Sequence, residues 1–232
     1  MKICALGNSH LASLKLGLDG LKERYPNVAV TFFASRGSRL GGLTLEDGRL
    51  VTSDEALARE IAFTSNGLSE IVLQDYDGFL IYGLGLPLPR LDRRLSSAVQ
   101  SATCRDLFQE SLSFKLAHTI RSACAAAIYI GHAPQKADLL KSNHADHGLD
   151  YLQVFDRMRQ VIDLADVHFL AQPEHTLSGA WNTAKEYSVG STRLDLGDRG
   201  SRRPHPEIDM AHMNARFGEV YLEDFFRRYA IA

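Results

Sequence analysis

Two short stretches hold the side chains with the most chemistry. Near its start the chain reads Gly7-Asn8-Ser9-His10, and near its end Glu207-Ile208-Asp209-Met210-Ala211-His212-Met213-Asn214. A serine hydroxyl becomes a nucleophile when an imidazole takes its proton. The imidazole does this best when a carboxylate holds its other ring nitrogen and so fixes the tautomer. Asp209 stands three residues before His212, a spacing that brings both side chains to one side of a helical turn. Each stretch also has an ordinary reading. Ser9 suits a helix N-cap, and Asp209 suits a second cap with His212 at the surface.

The elements between them decide whether these groups can meet. Short apolar runs at residues 2–6, 28–34, 78–83, 125–131 and 167–171 read as strands. Amphipathic stretches at 10–24, 53–62, 104–124, 149–164 and 211–229 read as helices, with 91–99 as a further helical candidate. Ser53 or Asp54 would cap the helix that follows. Asp47-Gly48 between apolar flanks predicts a small hairpin over 43–52. Residues 178–206, rich in Gly, Ser, Arg and Pro, predict no regular element and leave room for a lid. Alternating strands and helices predict a three-layer α/β/α fold. It would be a flavodoxin-like parallel sheet of about five strands, with helices on both faces and right-handed crossovers. No linker divides residues 1–232, so one domain is expected. In such sheets the functional crevice lies at the carboxyl ends of the strands. Ser9 follows the first strand there, beside free N–H groups at a helix start.

A seryl turn after the first strand together with Asp-x-x-His before the last helix resembles the SGNH/GDSL hydrolase superfamily, over nearly the whole chain. The family's first block is Gly-Asp-Ser, and here it is Gly7-Asn8-Ser9. The last block matches at Asp209 and His212, and Met213-Asn214-Ala215-Arg216-Phe217-Gly218 is similar to the form in a bacterial subset. The resemblance implies Ser9 as nucleophile, His212 as general base and then acid, and Asp209 as its orienting partner. It also implies a glycine oxyanion donor after the second strand, for which Gly37 is favoured and Gly41 held in reserve. The family's asparagine donor after the third strand is replaced by Gly85 in Gly83-Leu84-Gly85. Loss of one such donor can cost ~10²–10³ in rate. A backbone N–H near Gly85, the Asn8 side chain or His132 after the fourth strand could stand in. His132 could equally be structural, and the two glycines could be no more than a tight turn.

Composition narrows the remaining classes. Of the 232 residues, 26 are basic and 28 acidic, a net charge of −2, which disfavours nucleic-acid binding and a polybasic membrane anchor. No apolar run reaches the ~20 residues of a spanning helix, and the first residues lack the long apolar region of a secretory signal. A cytoplasmic protein is therefore expected. Cys4, Cys104 and Cys124 show no metal-ligand spacing and read as reduced thiols. His144, Asp146 and His147 cluster without a second ligand pair, so no metal is expected. Gly7 opens no dinucleotide or phosphate-loop fingerprint, and no cofactor is expected. Arg193, Arg199, Arg202 and Arg203 crowd the segment before Asp209, either as an anion-attracting patch or as a solvated stretch. The expected function is a serine esterase or acyl hydrolase. The family resemblance suggests a small-molecule or carbohydrate ester, including an O-acetyl group. An O-acyltransferase with the same triad and a non-catalytic binding domain are the alternatives.

Overall fold

A computed structural model of the chain describes residues 1–137, 148–161, 163–198, 200 and 202–230. His144, Asp146, His147, Ile162 and Arg199 lie outside these. The central sheet is built from β1 (Lys2–Gly7), β2 (Ala29–Ala34), β6 (Gly78–Tyr82), β7 (Ala127–Gly131) and β8 (Val167–Leu170). All four pairings are parallel, in the order β2-β1-β6-β7-β8. That is the order of flavodoxin-like doubly wound sheets. The strands end flush, with Gly7 opposite both Ala34 and Tyr82, Tyr82 opposite Gly131, and Gly131 opposite Leu170. One level edge therefore collects every loop that leaves a carboxyl end.

Both faces of the sheet are covered, and side-chain alternation along each strand shows it. Cys4, Leu6, Phe79, Ile81, Ile128 and Ile130 join one core with α2 (Glu55–Thr64), α3 (Ser97–Glu110), α4 (Leu112–Arg121) and α5 (Tyr151–Gln160). Ile3, Ala5, Leu80, Tyr82 and Tyr129 join the other with α1 (Leu11–Gly17) and α6 (Ala215–Phe225). Burial on both faces explains why these strands read as continuous apolar runs. All three cysteines are free and buried.

A second sheet joins β3 (Thr44–Glu46), β4 (Arg49–Val51) and β5 (Ile71–Val72). The hairpin turn has positive φ at Asp47 (46°) and Gly48 (77°), as a two-residue turn between twisted strands requires. Asp54, not Ser53, caps α2 by accepting from Ala56 and Leu57.

Three expectations are corrected. Of residues 91–99 only those from Ser97 onward are helical. Asp92 instead accepts from the backbone and guanidinium of Arg94, and the helix starts only when Ser96 caps Val99. Residues 104–124 are not one helix but two, because Ser111 ends α3 and its hydroxyl accepts from Phe114 to begin α4. Residues 178–206 are not featureless. They hold the strand pair β9 (Leu177–Ser178) and β10 (Asn182–Thr183), and they bury Trp181, Tyr187, Leu194 and Leu196.

Candidate active site

β1 and β6 neighbour each other at the place where the chain's direction of travel across the sheet reverses, since β2 lies to one side of β1 and β6 to the other. The loops leaving these two strands diverge and open a crevice. Ser9 stands in the loop after β1. It is not a cap: the residue preceding α1 is His10, and no side chain caps that helix. Asn8 fixes the turn instead. Its carbonyl oxygen accepts from the His10 N–H (3.1 Å), and its amide donates to the Gly83 carbonyl just beyond β6 (2.6 Å). Gly83 has φ +72°, and a Cβ there would come within 2.9 Å of Asn8 Oδ1. An aspartate at position 8 would set a carboxylate against that carbonyl, so the amide is the form this contact needs.

The opposite half of the site is carried by α6. α1 and α6 pack closely because both are glycine at the crossing. A Cβ on Gly218 would lie 1.8 Å from the Ser13 carbonyl, and one on Gly17 would lie 2.1 Å from the Glu219 nitrogen. The crossing brings the start of α6 against the start of α1. Asp209 and His212 precede α6 rather than open it. Asp209 Oδ1 accepts from the N–H groups of Ala211 (2.8 Å) and His212 (2.9 Å), and this turn uses donors a helix would otherwise take. α6 begins afterwards, when Asn214 caps Phe217.

The result is a continuous relay. Ser9 Oγ lies 3.0 Å from His212 Nε2. His212 Nδ1 donates to Asp209 Oδ2 at 2.9 Å, which leaves Nε2 as the acceptor for the serine proton. Burial pushes the Asp209 carboxyl up. The His212 backbone N–H, its ring N–H and the Ala211 N–H outweigh that and hold it at about 2. The carboxylate is thus charged behind the imidazole at any neutral pH.

Two further histidines flank His212. His205 stacks on it with ring centroids 4.0 Å apart and planes 9° apart, and its Nδ1 lies 3.0 Å from the same Asp209 oxygen. His10 stacks on it at 5.0 Å. Burial and the His212 charge lower His10 to about 4, so it is neutral at neutral pH. Neither residue was assigned a role from the sequence. His205 lies in the segment without periodicity, and His10 shows nothing beyond its place beside Ser9. His205, Asp209 and His212 also form a metal-type group among the described residues. Within the group the His212 Nδ1–Asp209 Oδ2 pair is a hydrogen bond, and the His205 ring lies stacked on His212. Ligands of a tetrahedral ion at the usual bond lengths stand about 3.3 Å apart, farther than the 2.9 and 3.0 Å found here.

The remaining sequence candidates divide. Gly37 (φ +60°) and Gly85 (φ +66°) lie in the turns after β2 and β6, on the edge that carries Ser9, with open space where a Cβ would be. Asn8 has its amide engaged with Gly83, as described. His132 gives no free nitrogen and is corrected to a structural residue. Its Nδ1 donates to the Ala133 carbonyl, and its Nε2 accepts from Tyr151 O–H at 2.7 Å, the same Tyr151 oxygen accepting from Gln172 N–H at 2.6 Å. Of the arginines, Arg202 is paired with Asp195. With Lys15 and Arg193 it lines a cleft of about 660 Å³ beside α1 that the triad does not line.

No family model matches the chain, and no curated protein matches it. A crystal structure of a DUF4886 family protein from Bacteroides uniformis is similar at 11% identity and a TM-score of 0.39, over 94% of this chain and 78% of that one. Among the described residues no helix is long and apolar enough to cross a membrane.

Proposed function

We propose that the chain is a serine esterase or acyl hydrolase acting on a small ester. The observation that carries this is the unbroken Ser9–His212–Asp209 relay at 3.0 and 2.9 Å between segments some two hundred residues apart in sequence. His212 takes the Ser9 proton as Oγ attacks the ester carbonyl. The imidazolium, held by Asp209, returns that proton to the leaving alcohol. Water activated by the same nitrogen then releases the acid and frees Ser9. The developing oxyanion meets backbone N–H donors of Ser9 and of the turns at Gly37 and Gly85, in place of a side-chain amide. Resemblance to SGNH hydrolases supports an O-acyl carbohydrate as the substrate class, with a sugar hydroxyl as alternative acceptor in place of water.

Parent protein is expected to hydrolyse p-nitrophenyl acetate and to be labelled by a fluorophosphonate, while Ser9→Ala does neither and keeps the parental melting temperature. Gly85 offers no side-chain donor, which favours modest turnover and gives one competing reading its footing, a domain that binds an ester without cleaving it. A parent protein inert to the fluorophosphonate would decide for that reading. Product analysis with a sugar acceptor present separates hydrolysis from transfer.

A further inference from the structure

The cleft beside α1 measures about 660 Å³, within the range of small-molecule sites. Its apolar surface comes from Leu16 on α1 and Phe63 on α2, which are 43% and 45% exposed, and from the buried Leu194. Two large apolar side chains on separate helices thus line one space. The segment that closes the cleft is shaped to fit. Gly197 has φ +75°, and a Cβ there would come within 2.7 Å of the Phe63 ring, so glycine is what brings the backbone down onto that ring. Arg193 is held in place by its own N–H, which donates to the Arg203 carbonyl at 2.9 Å.

Charge in the cleft is uneven. Lys15, Arg193 and Arg202 line it against Asp19 and Asp195. Asp19 is bound at 2.7 Å by Lys22, which does not line the cleft, and Arg202 is paired with Asp195. Among the described residues neither Lys15 nor Arg193 has a carboxylate within ion-pair distance. Lys15 Nζ donates to the Thr64 carbonyl at 2.9 Å, which fixes the amine and leaves two of its N–H groups. Burial lowers Lys15, Asp195 opposes this, and Arg202 adds to the lowering, so the amine is partly dehydrated near a second cation. A cation in that state gains more from an anion than one in open water. We infer that the cleft is a binding site for an amphipathic carboxylate, with its hydrocarbon chain against Leu16, Phe63 and Leu194 and its carboxylate on the cations Lys15 and Arg193. Ala12 also lines the cleft and donates to the Ser9 carbonyl at 3.2 Å, so the site starts one helical turn from Ser9. The triad does not line it, and the inference stands independently of the hydrolase reading.

Sodium decanoate, titrated below its micellar concentration and followed by calorimetry, is expected to bind the parent with one molecule per chain. Acetate lacks the hydrocarbon chain and decyltrimethylammonium reverses the charge, so each should bind at least about tenfold more weakly. Arg193→Gln and Lys15→Gln should each weaken decanoate about tenfold, the loss of one charge-assisted hydrogen bond. Added salt should weaken it as well. Ala62→Trp fills the cleft without changing a charge and should abolish binding, and Leu16→Gln should weaken it by removing apolar wall. Leu16 and Arg193 are exposed, so their variants are expected to keep the parental melting temperature and carry the test if another variant fails to fold. Amide ¹H–¹⁵N NMR shifts caused by decanoate should gather at residues 12–19, 62–67 and 192–195. Ser9→Ala should bind decanoate like the parent, and loss of binding there would put the ligand in the catalytic crevice and overturn the inference. A parent that does not bind decanoate, or Leu16→Gln and Arg193→Gln variants that bind it as tightly as the parent, would also overturn it.

Discussion

At the scale of single residues, Asp209 is the most heavily used side chain in the site. Its two oxygens accept three hydrogen bonds, from the N–H groups of Ala211 and His212 on Oδ1 and from His212 Nδ1 on Oδ2, with His205 Nδ1 also 3.0 Å from Oδ2. Asp209→Asn keeps the acceptor for the backbone but turns an –NH₂ toward the His212 ring N–H. His212 then shifts its proton to Nε2, the nitrogen that must accept from Ser9. We expect kcat to fall by about 10³–10⁴ with KM nearly unchanged, measured with a p-nitrophenyl ester, and fluorophosphonate labelling to slow in proportion. Parental kcat would remove Asp209 from the mechanism. This scale also shows what residue type can and cannot reveal. Ser9, Asp209 and His212 stand out because their types combine into one reaction. His132 follows a strand end as a site residue would, yet its two nitrogens are used by Ala133 and Tyr151. His205 stacks on His212 and gives no local signal, because spacing does not encode a ring stack.

Among elements, the α1–α6 crossing sets the distance between Ser9 and His212. Gly218 meets the Ser13 carbonyl so closely that a methyl group there must push the helices apart. Gly218→Ala is expected to lower stability by about 1–3 kcal/mol, as overpacking does. It should also lower kcat/KM, because the displacement is passed directly to the distance between Ser9 and His212. Thermal melts together with ester turnover test this, and a stable, fully active variant would show that the crossing does not position the site. The sequence pattern allowed the five strands of the main sheet to be placed within about two residues, since burial on both faces leaves an apolar run that little else produces. The helices were harder. Ser111 ends one helix and starts the next, and nothing in an amphipathic run from 104 to 124 marks such a break. The sequence pattern places the start of α6 too early, because Asp209 and Asn214 are both good caps and the first of them spends its oxygens on the site.

For the whole molecule, several histidines are held uncharged in the folded state, and this fixes how stability varies with pH. Burial lowers His132 to about 4, with the Ala133 carbonyl opposing, and burial with the His212 charge lowers His10 to about 4. The ordinary value is 6.5. Between 6.5 and about 4 the unfolded chain binds these protons and the folded chain does not, so stability falls as the pH falls through that window. His205 is lowered as well and adds to the slope. Asp209 follows at lower pH. Its carboxyl sits at about 2 against an ordinary 3.8, so the unfolded chain again binds the extra proton and stability is lost further as pH drops through that range. The melting temperature is therefore expected to be flat near neutrality and to decline steadily below pH 6.5. Unfolding near pH 5 should take up close to two protons, one each for His10 and His132, with a further fraction from His205. Calorimetry in buffers of differing ionisation enthalpy gives that number directly. A melting temperature unchanged from pH 7 to pH 4.5 would mean that His10 and His132 are already charged in the fold. In that case His10 would set a cation against the face of His212.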